Sequence, residues 1–153
     1  MAPFIERLQD LPVDGLAALL AESEQAGLRF VRRLVEEWAS GANQFDRSGE
    51  TLFGARSGGR LVGVCGLNVD PYAADERVGR VRHLYVLSSF RRLGVGQRLV
   101  AEVVEAARGR FDNLHLRTEN PAAAQFYETL GFRPSCGIAH YTHVRKLASG
   151  PVG

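Results

Sequence analysis

The stretch Val78-Gly79-Arg80-Val81-Arg82-His83-Leu84-Tyr85-Val86-Leu87, continued by Ser88-Ser89-Phe90-Arg91-Arg92-Leu93-Gly94-Val95-Gly96-Gln97, decides how this chain is read. An extended backbone puts Val81, His83, Tyr85 and Leu87 on one side and Arg82, Leu84 and Val86 on the other, which is the period of a strand. Beyond the glycines, Val95, Leu99, Val100, Val103, Val104 and Ala107 recur at helical spacing. The order is strand, glycine turn, helix. A helix start exposes unpaired backbone N–H groups and the positive end of the helix dipole, and glycine lets an anion approach that backbone closely. Arg91 and Arg92 add charge beside it. The stretch predicts a phosphate or pyrophosphate site, with a ligand-free tight turn as the alternative that two glycines leave open.

Spacing separates the phosphate users. A Walker-type loop needs Lys-Ser/Thr after its last glycine, and Gly96 is followed by Gln97 and Arg98. A dinucleotide fingerprint needs a third Gly or Ala where Leu99 stands, and its strand opens the domain, whereas here two helical segments and a hairpin come first. Those helical segments carry Val13, Leu16, Ala17 and Leu20 on one face and Leu28, Val31, Leu34, Val35 and Trp38 on another, with Gly27 between them. Residues 51–56 and 60–69 read as strands joined through Ser57-Gly58-Gly59.

Downstream, residues 113–118 read as a strand, and Asn120-Pro121 opens a short helix that ends at Gly131, with Asn120 as its cap. On it Ala123, Phe126, Tyr127 and Leu130 share a face. Two segments now carry a resemblance. Arg91-Arg92-Leu93-Gly94-Val95-Gly96 resembles the coenzyme A turn of the GNAT superfamily of N-acetyltransferases, Gln/Arg-x-x-Gly-x-Gly/Ala, at every fixed position. The run from Asn120 through Phe126-Tyr127 to Gly131-Phe132 is similar to the superfamily's second motif. With two helices before them and a strand-like stretch over 138–147 after them, the resemblance covers essentially the whole chain.

The resemblance implies an α/β fold: a mixed, mostly antiparallel sheet with helices on both faces, in which the 78–87 and 113–118 strands splay apart to hold acetyl-coenzyme A. It implies transfer of an acetyl group to a primary amine of a small molecule or protein, by direct attack in a ternary complex. On that pattern Arg91, Arg92, Leu93, Gly94, Val95, Gly96 and Gln97 hold the pyrophosphate. Tyr85, Val86 and Leu87 offer backbone N–H groups to the pantetheine and the carbonyl, and Asn120, Ala123, Phe126 and Tyr127 complete the wall. Tyr127 matches the tyrosine that protonates the leaving thiolate; a core aromatic on an amphipathic helix is the plainer reading. Many relatives carry a Glu at or next to the position before Leu84-Tyr85-Val86, where this chain has His83. A histidine can accept a proton near neutrality, so His83 is the candidate base, with a half-buried strand histidine as the plainer reading and Glu119 as a further candidate. A GNAT-like domain that senses acyl-coenzyme A without turnover is the second reading. A homodimer is an expectation of the resemblance alone.

Composition agrees with one domain over residues 1–148 and a frayed tail at 149–153: 153 residues and 45% hydrophobic content suffice for one core. A net charge of +2 without a dense Lys/Arg block excludes an evident nucleic-acid binder, although Arg80, Arg82, Arg91, Arg92 and Arg98 cluster enough to suggest a local anion site. Cys65 and Cys136 stand far apart, as two buried free thiols in a reduced, cytoplasmic setting. No signal peptide or membrane span is expected, because Glu6, Arg7 and Asp10 occupy the start. His140 and His143 would lie on opposite faces of a terminal strand, so no metal site is expected. For the acceptor, Trp38, Phe45, Tyr72 and Tyr141 are candidate apolar lining, and Glu36, Glu37, Asp46, Asp75 and Glu76 are candidate attractors of a cationic amine.

Overall fold

The computed structural model describes residues 3–147, so the tail expected at 149–153 lies outside the described residues. Seven strands form one sheet in the order β1-β2-β3-β4-β5-β7-β6. They are β1 (Phe4–Arg7), β2 (Thr51–Ser57), β3 (Arg60–Val69), β4 (Val78–Val86), β5 (Asn113–Leu116), β6 (Arg133–Pro134) and β7 (His143–Lys146). Only the β4–β5 neighbours run parallel; the other pairs are antiparallel. Helices α1 (Val13–Gln25) and α2 (Phe30–Ser40) cover one face, where Glu22 bonds Tyr85 and the Phe30 carbonyl bonds His83. Helices α3 (Val95–Ala107) and α4 (Pro121–Thr129) cover the other, where Leu99 packs over Gly63 and Phe126 over Gly96. The expected mixed α/β architecture is therefore present.

Local chemistry accounts for most element ends. Asn120 adopts extended backbone and its side chain accepts from the N–H groups of Ala122 and Ala123, at 2.9 and 3.2 Å, while Pro121 takes the first helical position. Gly41 closes α2 in the left-handed region, φ 81°. The fully buried Leu99, Val100 and Val103 make α3 the floor of the core, with Leu99 set against Gly63 of β3. Burying a side chain of that size stabilises by roughly 1.5–3 kcal/mol.

Some expectations change. In α1 the buried stripe is Leu16, Leu19 and Ser23, not Leu16, Ala17 and Leu20, since Ala17 is exposed. Leu28 precedes α2 and is exposed. The terminal strand shrinks to His143–Lys146, leaving Ile138 and His140 in a loop, and Cys136 is exposed rather than buried. Strands β1 and β6 have no sequence signature: β1 is four half-exposed residues, paired to β2 and fastened by Glu6–Arg56 at 2.6 Å. Short edges draw their strand character from the partner's hydrogen bonds, not from alternation of their own.

The largest departure is in β4. Arg82 faces Gly66 and Tyr85 faces Val64 across β3, so His83 and Leu84 together oppose Cys65 in a β-bulge. His83 takes φ 61°, a conformation that histidine tolerates better than most residues. The bulge cancels the alternation, and Arg82, His83 and Tyr85 all reach the α1–α2 face, through Glu37, the Phe30 carbonyl and Glu22 respectively. It also bends β4 away from β5, whose pairing is confined to Val78–Asn113, Gly79–Leu114 and Arg80–His115. Beyond Arg80 the parallel pair opens.

Candidate active site

The opening between β4 and β5 is the mouth of a cleft of about 1280 Å³. It runs from the start of α3 on one side of the sheet to the α1–α2 side on the other. At the α3 end, Arg91, Arg92, Gly94, Val95, Gly96 and Gln97 line it together with Asn120, Ala123 and Phe126. Gly94 has φ 79°, the first intrahelical bond joins the Arg98 N–H to the Gly94 carbonyl at 3.0 Å, and no side chain caps the helix. The N–H groups of Val95, Gly96 and Gln97 therefore have no intrahelical acceptor at this end. Arg92 is exposed, at φ 66°, while the Arg91 Nε donates to the Val86 carbonyl at 3.0 Å and its guanidinium lies 5.3 Å over the Tyr85 ring. A polyanion laid here meets free N–H donors, a helix dipole and two cations, so the residues fit a pyrophosphate.

Of the backbone donors expected at the β4 end, Leu87 is withdrawn: its N–H donates to the Val62 carbonyl at 2.9 Å and its side chain is buried in the core. Alternation along a strand then turns the Val86 N–H and carbonyl toward the gap, where the carbonyl already meets Arg91. Leu93, in the same turn, is 62% exposed and is not among the residues that line the cleft. Tyr85 lines the cleft, and its hydroxyl donates to Glu22 Oε2 at 2.6 Å.

Tyr127 faces the cleft from α4, packed edge-on against Phe126 and Phe132 at 5.3 and 5.6 Å. Burial pushes its phenol well above the ordinary tyrosine range, with buried Cys65 nearby adding to the effect. The phenol therefore keeps its proton at any working pH.

His83 donates Nδ1–H to the Phe30 carbonyl at 2.9 Å, which leaves Nε2 as the acceptor; Nε2 is buried and makes no hydrogen bond. Burial, and then the charges of Arg82 and Arg33, push its pKa down to about 3. Glu119 lines the same cleft but is 79% exposed and paired with Arg117 at 2.8 Å.

Several expectations about this end are corrected. None of Glu36, Glu37, Asp46, Asp75 and Glu76 lines the cleft; Glu37 instead lies behind Arg82, at 3.8 Å. Trp38 and Phe45 stack behind His83 rather than lining the cleft, and Tyr141 packs on His115. Tyr72 does line it, stacked on His140 at 4.5 Å. The five clustered arginines are divided: Arg91 and Arg92 at the α3 end, Arg80 and Arg82 at the other, and Arg98 bonded to the Pro3 carbonyl away from both.

Glu22 carried no sequence signal that singled it out. It accepts from the Tyr85 hydroxyl and from the Ser88 N–H and Oγ–H, at 2.6, 2.9 and 2.7 Å, and Arg91 lies at 3.7 Å. These bonds, the Tyr85 hydroxyl first among them, hold its carboxyl below the ordinary range, and the bond to Glu22 joins burial in raising Tyr85 to about 12. One acid of α1 thus anchors the β4 end and an arginine of the phosphate turn.

Comparisons with known proteins agree with this architecture. A crystal structure of a protein assigned as an acetyltransferase in Exiguobacterium sp. 255-15 superposes with a TM-score of 0.85 at 32% identity, over 97% of this chain and 96% of that one. The N-acetylglutamate synthase of Neisseria gonorrhoeae, solved with coenzyme A and N-acetyl-glutamate, shares the fold at 20% identity and a TM-score of 0.68, over 94% of this chain and 35% of its own. The N-alpha-acetyltransferase RimI of Mycobacterium tuberculosis is 38% identical over 87 residues, 52% of this chain and 50% of RimI, so the match spans about half of that relative's length. The acetyltransferase (GNAT) family model matches residues 16–132, which take in the phosphate turn, the splayed strands and the Tyr127 helix, and the chain belongs to that family.

Proposed function

We infer that the protein is an acetyl-coenzyme A-dependent N-acetyltransferase. One observation carries this beyond family membership: a protonated phenol, uncapped helix N–H groups and an outward-facing strand N–H line a single cleft that passes through the sheet. The donor's pyrophosphate fits the Gly94–Gln97 turn with Arg91 and Arg92, and its pantetheine fits the gap beside Val86. In the reaction the amine nitrogen forms a bond to the thioester carbonyl carbon and the carbon–sulfur bond breaks. The Val86 N–H faces the oxygen on which charge grows; loss of one such donor elsewhere typically costs about 10²–10³ in rate. Tyr127 supplies a proton to the departing thiolate, a general-acid task for a phenol held protonated.

The amine must shed a proton, and His83 is poorly suited to take it. From an ammonium near pKa 10 to an imidazole held near 3, transfer is uphill by about 7 units, roughly 10 kcal/mol. His83 is better suited to the part of a neutral hydrogen-bond acceptor, since its Nε2 is unpartnered, with the amine's proton passing to solvent. The same low basicity favours, as the second reading, a domain that binds acyl-coenzyme A without turnover. We propose a cytoplasmic location, a reducing compartment that suits the free thiols Cys65 and exposed Cys136.

Thermal unfolding with acetyl-coenzyme A, ATP or NADPH tests the donor. A ligand at about 100 times its dissociation constant stabilises by roughly 2.7 kcal/mol. Stabilisation by acetyl-coenzyme A alone supports the reading, and its absence defeats it. Amine-dependent thiol release then separates the enzyme from the silent binder.

A further inference from the structure

The acceptor end of the cleft is cationic. Once Arg91 and Arg92 are assigned to the pyrophosphate, the charged lining residues are Arg33, Arg80, Arg82 and Arg117, with Glu119 as the one acid among them. Arg117 is matched by Glu119 and Arg82 is shared with Glu37, whereas Arg33 makes no ion pair among the described residues. Arg80 is the most enclosed: its side chain is 9% exposed, and its Nη1 has no hydrogen-bond partner. Asp70 is its ion-pair partner, 3.7 Å from Nη1 and beyond hydrogen-bond reach, and also accepts the Tyr72 N–H at 3.0 Å and lies 3.1 Å from His115 Nδ1. The guanidinium is held in place from two sides. Nη2 donates to the His140 carbonyl at 2.7 Å, and the Tyr72 ring, stacked on His140, lies 5.0 Å beneath it.

An amine whose only charge is its ammonium would be repelled here. Burial first, and then the charges of Arg82 and Arg33, disfavour a proton on His83 in the same cleft, and a bound ammonium would face the same two arginines. That field assists the reaction by driving the ammonium to its neutral, nucleophilic form, but it supplies no binding energy to a simple amine. A second, anionic group on the acceptor resolves the conflict. Planar guanidinium donors match a carboxylate in shape as well as charge.

We propose that the acceptor is an amine that also bears a carboxylate, which Arg80 and Arg33 hold while the amine faces the thioester beside His83 and Tyr127. This rests on the acyl-transfer reading above. The carboxylate can come from a free amino acid or from a short peptide, and the test distinguishes them.

The test measures thiol release at fixed acetyl-coenzyme A with matched sets: free amino acids, their carboxamides and the corresponding decarboxylated amines, beside tetrapeptides with an acidic or a neutral second residue. The expected result is a kcat/KM for the carboxylate-bearing member at least ~100-fold above its carboxamide, a conservative floor, since sites built to hydrogen-bond a substrate group reject analogues lacking it by about 10⁴–10⁵. Preference for free amino acids or for acidic peptides identifies the source. Arg33→Gln, an exposed position, should raise KM for the preferred acceptor about tenfold or more, with kcat and the acetyl-coenzyme A thermal shift nearly unchanged; Arg80→Lys should do the same more strongly. Equal or better turnover of carboxamides and simple amines overturns the proposal, as does silence of every set while acetyl-coenzyme A still stabilises the protein. Absence of that stabilisation defeats the underlying acyl-transfer reading instead.

Discussion

The two ends of the cleft are built in opposite ways. The phosphate end is local: Arg91 to Gln97 are consecutive, and one turn with its helix start provides the donors, the dipole and the charge. The acceptor end is assembled from distant parts of the chain. Arg33 comes from α2, Tyr72 from the β3–β4 loop, Arg80 and His83 from β4, Arg117 from beyond β5 and His140 from the loop before β7. On this reading the pyrophosphate needs one turn and its helix start, whereas the proposed acceptor recognition requires that α2, β4 and the β6–β7 loop all dock at once. Specificity for the acceptor can thus change through loops without disturbing the donor site.

The largest effect expected from breaking this contrast is at the junction of the two ends. Tyr127→Phe removes the proton donor and nothing from either binding surface. It should lower kcat about 10²–10⁴-fold in steady-state assays, with the acetyl-coenzyme A thermal shift retained. Unchanged turnover would make Tyr127 a packing residue. Next, Gly94→Val combined with Gly96→Val should abolish donor binding by itself. At Gly94 the positive φ strains a β-branched residue, and at Gly96 an added Cβ already stands 3.4 Å from Phe126. The roughly 2.7 kcal/mol of ligand stabilisation should vanish. A retained shift would mean that the donor lies elsewhere.

His83 sharpens the comparison from the acceptor side through pH. Its folded pKa of about 3 lies below the unfolded value near 6.5, so on acidification the unfolded chain takes up the proton first. Stability attributable to the neutral ring is complete above pH 6.5 and falls by up to about 1.4 kcal/mol per pH unit between there and about pH 3. Urea unfolding from pH 7 to 4 should show this slope, and His83→Gln should flatten it. An unaltered slope would show that folding does not lower the pKa of His83. The smallest effect concerns Glu22, which connects the two ends. Glu22→Gln should cost roughly 1–2 kcal/mol in urea unfolding at neutral pH, a part of what charge-assisted bonds contribute because Glu22 is partly exposed. Its carboxyl pKa is lowered, so this stability is present above the ordinary carboxylate range and disappears as pH falls through the folded value. A mutant as stable as the wild type would mean that Glu22 anchors neither Tyr85 nor Arg91.

The amino-acid sequence by itself determined the parts whose physics is short-ranged. Hydrophobic period and glycine punctuation located β2 to β5 and all four helices, the Asn120 cap followed from Asn-Pro, and the phosphate turn followed from two glycines beside two arginines. Tertiary structure decided what depends on pairing. The β4 bulge exists only against Cys65 of β3, and a one-residue insertion in register reverses every later side chain, which no alternation read from β4 alone reveals. Short β1 and β6, the withdrawal of Leu87 by Val62, the Glu22 anchor and the division of the clustered arginines have the same origin. His83 shows it most plainly: its residue type suggested a base near neutrality, and burial beside Arg82 and Arg33 changed it to an acceptor that stays neutral. Sequence spacing sets which groups a chain owns, and the field at each group is the sum over neighbours that only folding brings together.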